Sequence, residues 1–121
     1  MARDLSGRWG ESLAAAYLQK KRYSITAANY RSRFGEIDLI AENKQFLVFV
    51  EVKLRKNADF GQAMEFVDRR KQEKLKQTAA IYLSQNEENT KQPRFDVIEI
   101  YAPEGMETKH PVIKHWENAF E

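Results

Sequence analysis

The sequence predicts a single α/β domain, and three observations carry that prediction. A stretch near the N-terminus spaces its apolar residues as a helix does. Two short runs rich in Ile, Leu, Val and Phe lie close together near residue 40. A second helix-spaced segment follows them, and then two more strand-like runs. A chain of 121 residues is one domain's worth and leaves little room for a second, so residues 1–121 are expected to form one unit.

Each element has its own local reason. In residues 6–21, Trp9 and Leu13, Leu13 and Tyr17, and Ala14 and Leu18 stand four apart and form one apolar stripe. Ser6 is placed to cap this helix, and Lys20-Lys21-Arg22 closes it with positive charge at the negative end of the dipole. Residues 24–30 read as a strand, and 31–35 as a turn. Residues 36–41 and 46–53 are the clearest strands, joined by the polar Glu42-Asn43-Lys44-Gln45. A polar loop spans 54–61, and a long helix is expected over 64–84 with Phe66, Leu75, Ala79 and Leu83 among its apolar positions. Strands are expected at 94–101 and 112–116, which makes a five-stranded mixed sheet flanked by helices.

Composition narrows the function classes. At 42% hydrophobic and 31% charged, with 5 Gly and 3 Pro, the chain suits a folded globular protein. No apolar run approaches the ~18 residues of a membrane span, so no membrane partner is expected. Arg3, Asp4 and Arg8 have no apolar segment behind them, so no secretory leader is expected and the cytoplasm is the expected compartment. The absence of cysteine excludes a disulfide framework, thiolate catalysis and Cys-ligated zinc. The net charge of +2 hides a gradient: residues 1–80 carry a net of +6 and residues 81–121 a net of −4. A basic end joined to an acidic end fits a polyanion on one side, although ordinary surface charge would also produce it.

The chemistry-bearing residues sit on the central hairpin, and strand parity finds them. Side chains alternate faces along a strand. Glu36, Asp38 and Ile40 therefore share one face of the first strand, and Leu47, Phe49, Glu51 and Lys53 share one face of the second. Ile37, Leu39 and Ala41, with Phe46, Val48, Val50 and Val52, form the opposite, apolar wall. A turn at Asn43-Lys44 would pair Glu42 with Gln45, Asp38 with Phe49, and Glu36 with Glu51. In any register of that parity Glu36, Asp38, Glu51 and Lys53 emerge together. Carboxylates so placed repel one another unless a cation relieves them. Two arrangements supply the cation. One is a hard divalent ion such as Mg²⁺ held by one or two carboxylates, which activates water and stabilises charge on a phosphate. The other is a salt-bridge network in which Lys53 pairs with Glu51 or Asp38.

Asp38 followed by Glu51-Val52-Lys53 on the next strand resembles the (D/E)xK signature of the restriction-endonuclease-like nucleases. Glu11, in Gly7-Arg8-Trp9-Gly10-Glu11, is similar in position to a helix glutamate of archaeal Holliday-junction resolvases. The resemblance is closer still to the YraN family of uncharacterised bacterial proteins. It runs through Asn29-Tyr30-Arg31, Phe34-Gly35-Glu36-Ile37-Asp38-Leu39-Ile40, Phe49-Val50-Glu51-Val52-Lys53 with Arg55, Phe60-Gly61, Lys71, Arg94-Phe95-Asp96-Val97 and Asn118-Ala119-Phe120. One departure is Gln62-Ala63, where a second small residue is expected after Gly61.

The resemblance implies a restriction-endonuclease-like fold and metal-dependent cleavage of phosphodiesters in DNA, including branched or repair intermediates. Asp38 and Glu51 would hold Mg²⁺ or Mn²⁺, Glu11 would assist, and Lys53 would position the nucleophile or stabilise the transition state. Arg31, Arg33 and Arg55 flank the hairpin and are candidates for phosphate contact. Lys71 is another, within the basic run Arg69, Arg70, Lys71, Lys74, Lys76; a solvated helix face is the ordinary alternative. Glu36 is expected to hold a neighbouring arginine. Trp9, Tyr30, Phe34 and Phe60 are expected in the core, and His110 and His115 are read as incidental. Symmetric cutting of a branched substrate would require a homodimer. The competing reading is an adaptor that binds nucleic acid on a nuclease scaffold without turnover.

Overall fold

The computed structural model describes residues 5–57 and 67–121. Phe60, Gln62 and the predicted helical residues 64–66 lie outside them. The elements run α1 (Leu5–Lys20), β1 (Ser24–Ser32), β2 (Gly35–Glu42), β3 (Phe46–Arg55), α2 (Arg69–Ser84), β4 (Gln92–Tyr101), a 3-10 turn (Gly105–Glu107) and β5 (Val112–Phe120). The strands form one sheet in the order β1-β2-β3-β4-β5. β3 and β4 are parallel and the other neighbours antiparallel. This is the mixed five-stranded α/β sheet with flanking helices expected of a restriction-endonuclease-like fold. No helix among the described residues is long and apolar enough to cross a membrane.

Both faces of the sheet are buried. Ala14 and Leu18 of α1 pack on Leu39, Ala41, Val48, Val50, Ile98 and Ile100. Leu75 and Ala79 of α2 pack on Ile37, Ile40, Leu47, Phe49 and Val97. The expected apolar wall therefore forms beneath α1, with one correction. Ile37 leaves it for the α2 side, so the apolar side chains of β2 do not keep strict alternation across Asp38.

Local chemistry sets the element ends. Ser6 lies inside α1, not at its cap. α1 closes as a Schellman motif: the Tyr23 amide donates to the Leu18 carbonyl and the Arg22 amide to that of Gln19, both at 3.0 Å, with Arg22 at φ 71°. α2 begins later than predicted, because the Asp68 side chain accepts from the Lys71 amide at 2.9 Å and caps the helix there.

The β2–β3 register also differs from the expected one. Asn43 Oδ1 accepts from the amides of Gln45 (2.9 Å) and Phe46 (2.7 Å), and the Asn43 amide donates to the Phe46 carbonyl. This side-chain turn moves the loop centre by one residue. Glu42 consequently pairs with Leu47, Ile40 with Phe49 and Leu39 with Val50. The shift of two keeps the parity, and continuing this register one step beyond the paired ladder sets Asp38, not Glu36, against Glu51.

Candidate active site

The paired ladder of β2 and β3 runs only from Glu42↔Leu47 to Leu39↔Val50. One step further, the Asp38 side chain takes the place of a backbone partner: its Oδ2 accepts from the Val52 amide at 2.8 Å. Here the two strands admit side chains from both helices. A cleft of about 260 Å³ opens at this point, lined by Gly7, Gly10 and Glu11 of α1 and by Asp38, Glu51 and Lys53 of the hairpin. The four residues expected to do chemistry thus face one cavity.

Glu11 is held from the side. Its Oε1 accepts from Asn29 Nδ2 at 3.0 Å. Asn29 sits in β1 at φ 53°, a conformation that Asn tolerates better than most residues. Nothing in the sequence pattern singles out Asn29 as the partner of a residue 18 positions away. α2 reaches the cleft from the other side. Lys71 Nζ donates to Glu51 Oε2, and Lys53 Nζ lies 3.5 Å from the same oxygen. Glu51 is buried, with a side chain 6% exposed, whereas the Lys71 side chain is 37% exposed.

These neighbours pull the titrations apart. Burial pushes the Asp38 carboxyl up, and the charge of Glu51 pushes it further; the Val52 amide opposes them without prevailing, and the group rises to about 8. Burial also disfavours charge on Lys53. The adjacent Lys71 ammonium adds to this against the attraction of Glu51, and Lys53 falls below the ordinary lysine range. Lys71 is likewise disfavoured by burial, but its hydrogen bond to Glu51 and their attraction prevail, so it rises. Among the described residues no three or more His, Asp or Glu side chains gather as a ready metal cage. A pair of carboxylates suits Mg²⁺, which keeps most of its waters and takes one or two protein oxygens.

The other predicted residues divide. Arg31 is exposed and lies 3.7 Å from Glu36, the pairing expected for that glutamate. Arg33 is exposed and stacks over Phe34. Both stand near the β1–β2 turn, where a Cβ at Gly35 would lie 3.8 Å from Lys74 Cβ. Arg55 is committed elsewhere: its Nη1 donates to Glu99 Oε2 at 2.7 Å, and Glu99 is fully buried. His115 is not incidental. Its Nε2 lies 2.7 Å from Asp96 Oδ2, and its Nδ1 lies 3.2 Å from the Tyr17 hydroxyl. His110 is exposed. A larger hollow, about 460 Å³, opens around Phe46, Arg94 and Glu117, but the guanidinium at its floor is already bound to Asp96 and Tyr23.

Comparison with known proteins identifies the family. The model of the uncharacterised protein family UPF0102 matches residues 10–100. The chain belongs to UPF0102. A UPF0102 protein of Caldanaerobacter subterraneus subsp. tengcongensis is 44% identical over 115 residues, covering 94% of this chain and 93% of that one. One from Syntrophomonas wolfei is 42% identical, covering 99% of this chain and all of its own length. A third, from Carboxydothermus hydrogenoformans, is 38% identical over 121 residues, covering 98% and 97%. The UPF0102 match spans every cleft residue from Gly10 onward, including Glu11, Asp38, Glu51 and Lys53, and also Lys71, which bonds Glu51 from α2.

Proposed function

We propose that this UPF0102 protein is a metal-dependent nuclease that hydrolyses phosphodiester bonds in DNA. The observation that carries the reading is the convergence of Asp38 and Glu51 at the point where β2 and β3 stop pairing, with a lysine beside them and a cleft in front. A sheet built only for stability would place an apolar pair there.

The donor set fits a hard divalent ion. Both donors are carboxylate oxygens, and their mutual repulsion is the deficit a cation relieves. Asp38 and Glu51 would hold Mg²⁺ or Mn²⁺. When bound, the ion supplies a nucleophilic water at neutral pH and neutralises charge on the phosphate. The chain's own residues do the rest. The Val52 amide fixes the orientation of the Asp38 carboxylate through Oδ2. Glu11, steadied by Asn29, adds negative charge on the α1 side and can accept a proton from an incoming water. Lys53, on the same strand face as Glu51, orients the nucleophile or stabilises the extra charge of the pentavalent phosphate. Arg31 and Arg33 on the β1–β2 turn and Lys71 on α2 contact flanking phosphates.

The test is to incubate the parent, Asp38→Asn and Lys53→Ala with Mn²⁺ and branched, flapped, nicked and single-stranded DNAs. The parent should cleave at least one. Asp38→Asn should be inactive and lose the rise in melting temperature that saturating Mn²⁺ gives the parent. Lys53→Ala should lose roughly 10²–10³-fold in turnover, as for one preorganised electrostatic group. Its DNA affinity should stay within a few fold, since one lysine is a small part of many phosphate contacts. Cleavage undiminished in Lys53→Ala would remove that residue from the chemistry. A parent that binds DNA, ignores divalent ions and cuts nothing would be an adaptor.

A further inference from the structure

Two ammonium groups meet on a single carboxylate oxygen, Glu51 Oε2: Lys53 from the same strand and Lys71 from the first turn of α2. We propose that Lys71 is a resident cation that closes the Asp38–Glu51 pair, and that divalent metal displaces it onto the substrate phosphates, so that metal and DNA promote each other's binding. The inference rests on the nuclease reading and assigns Lys71 a positioning role within it.

Glu51 is almost fully enclosed and already holds two ammonium groups on Oε2, so an ion entering on either oxygen of this carboxylate comes close to both. Three positive centres crowded around one carboxylate repel strongly, which favours release of the least firmly held of them. Lys53 is the less exposed of the pair, 28% against 37%, and belongs to the strand that carries Glu51. Lys71 arrives from another element, and its amide is pinned by the Asp68 cap while its four-carbon stem stays free to swing. It is therefore the group that leaves. Outside, it joins a basic surface that continues to Lys74, beside the Gly35 turn with Arg33. A loaded site with Lys71 released is rich in positive charge until an anion arrives, and a DNA phosphate is the anion that answers it. By linkage, whatever the metal does for DNA affinity, DNA does equally for metal affinity.

Calorimetric titration of Mn²⁺ into the parent, Lys71→Met and Lys71→Arg tests this without turnover. It is run with and without a phosphorothioate DNA duplex, after melting curves confirm that each variant folds. Without DNA, Lys71→Met keeps the stem, loses the charge and should bind Mn²⁺ about tenfold more tightly than the parent, within the usual range of a coupling between sites. In the parent, DNA should tighten Mn²⁺ binding severalfold; in Lys71→Met that enhancement should fall toward none. Lys71→Arg should restore the parent pattern. Equal or weaker Mn²⁺ binding by Lys71→Met would overturn the inference and leave the nuclease reading standing. A folded parent that takes up no Mn²⁺, with or without DNA, would overturn both.

Discussion

Asp38 and Asp96 lie on β2 and β4, the strands on either side of β3, and their carboxyls shift in opposite directions. Asp38 keeps part of its surface exposed and Asp96 almost none. Burial pushes it up, yet it is held below the ordinary carboxylate range. Its hydrogen bond with His115, the paired bonds from Arg94 at 2.9 and 2.8 Å and the Asn118 amide at 3.0 Å together outweigh desolvation. Asp38 receives one backbone amide and faces two further carboxylates, and it rises to about 8. Burial does not separate the two sites; the number and sign of the partners do. Asp96 is closed by its neighbours, as a structural charge must be. Asp38 itself takes one neutral donor, because the two ammonium groups beside it are bound to Glu51, and its carboxyl is left under-partnered beside an open cleft.

Removing Asp96 is the strongest way to break this contrast. Asp96→Ala leaves the buried Arg94 guanidinium and His115 without their shared acceptor. We expect a loss of about 3–5 kcal/mol, the range for breaking one side of a buried pair, measured by urea unfolding at pH 7. The parent's acid limb follows from the same residue. A carboxyl whose pKa is lower folded than unfolded stabilises fully above its unfolded value, near 4, and loses that contribution as pH falls through the folded value. The parent's stability should therefore drop below about pH 4, and Asp96→Asn should flatten that drop. An unchanged acid limb in Asp96→Asn would place the acid-sensitive group elsewhere.

Arg55 sharpens the comparison from the basic side. Arg31 and Arg33 are exposed, whereas Arg55 is nearly enclosed against Glu99, which also accepts from Trp116 Nε1 at 3.2 Å. Arg55→Ala strands a fully buried carboxylate and should cost about 3 kcal/mol. The double replacement of Arg31 and Arg33 should leave stability within about 0.5 kcal/mol. That pair should instead lower the salt dependence of DNA binding, by about 0.9 in slope for each duplex phosphate that no longer has a cation beside it. Equal slopes in the parent and the double variant would move the DNA surface away from the β1–β2 turn.

The parts of this arrangement legible in the sequence are those fixed by period and short range. Strand parity already groups Asp38, Glu51 and Lys53, and a shift of two residues leaves that grouping intact, although the break in alternation at Ile37 has no sign in the sequence. The register is not legible: it turns on whether Asn43 bonds its own backbone two and three residues ahead, which composition does not reveal. Pairings made through tertiary packing are also hidden. Lys71 reaches Glu51 only because α2 crosses from β3 to the parallel β4. His115 reaches Asp96 beside an irregular stretch of the β4–β5 ladder between Phe95 and Val97. A histidine in a short strand near the C-terminus carries no local sign of either partner.

The smallest effect is the most diagnostic of the difference between the two aspartates. Replacing a well-partnered buried carboxylate destabilises, whereas replacing one held against its preference should do the opposite. Asp38→Asn removes the repulsion from Glu51 and Glu11 and adds an amide donor that Glu51 can accept, while an oxygen remains for the Val52 amide. Measured without divalent ions at pH 7, the variant should be more stable than the parent by about 1 kcal/mol, the usual gain when a residue kept for activity is relaxed. On the proposed metal-dependent reading, saturating Mn²⁺ should reverse the order, since only the parent would gain stability from binding it. A metal-free Asp38→Asn that is less stable than the parent would mean that Asp38, like Asp96, serves the fold first.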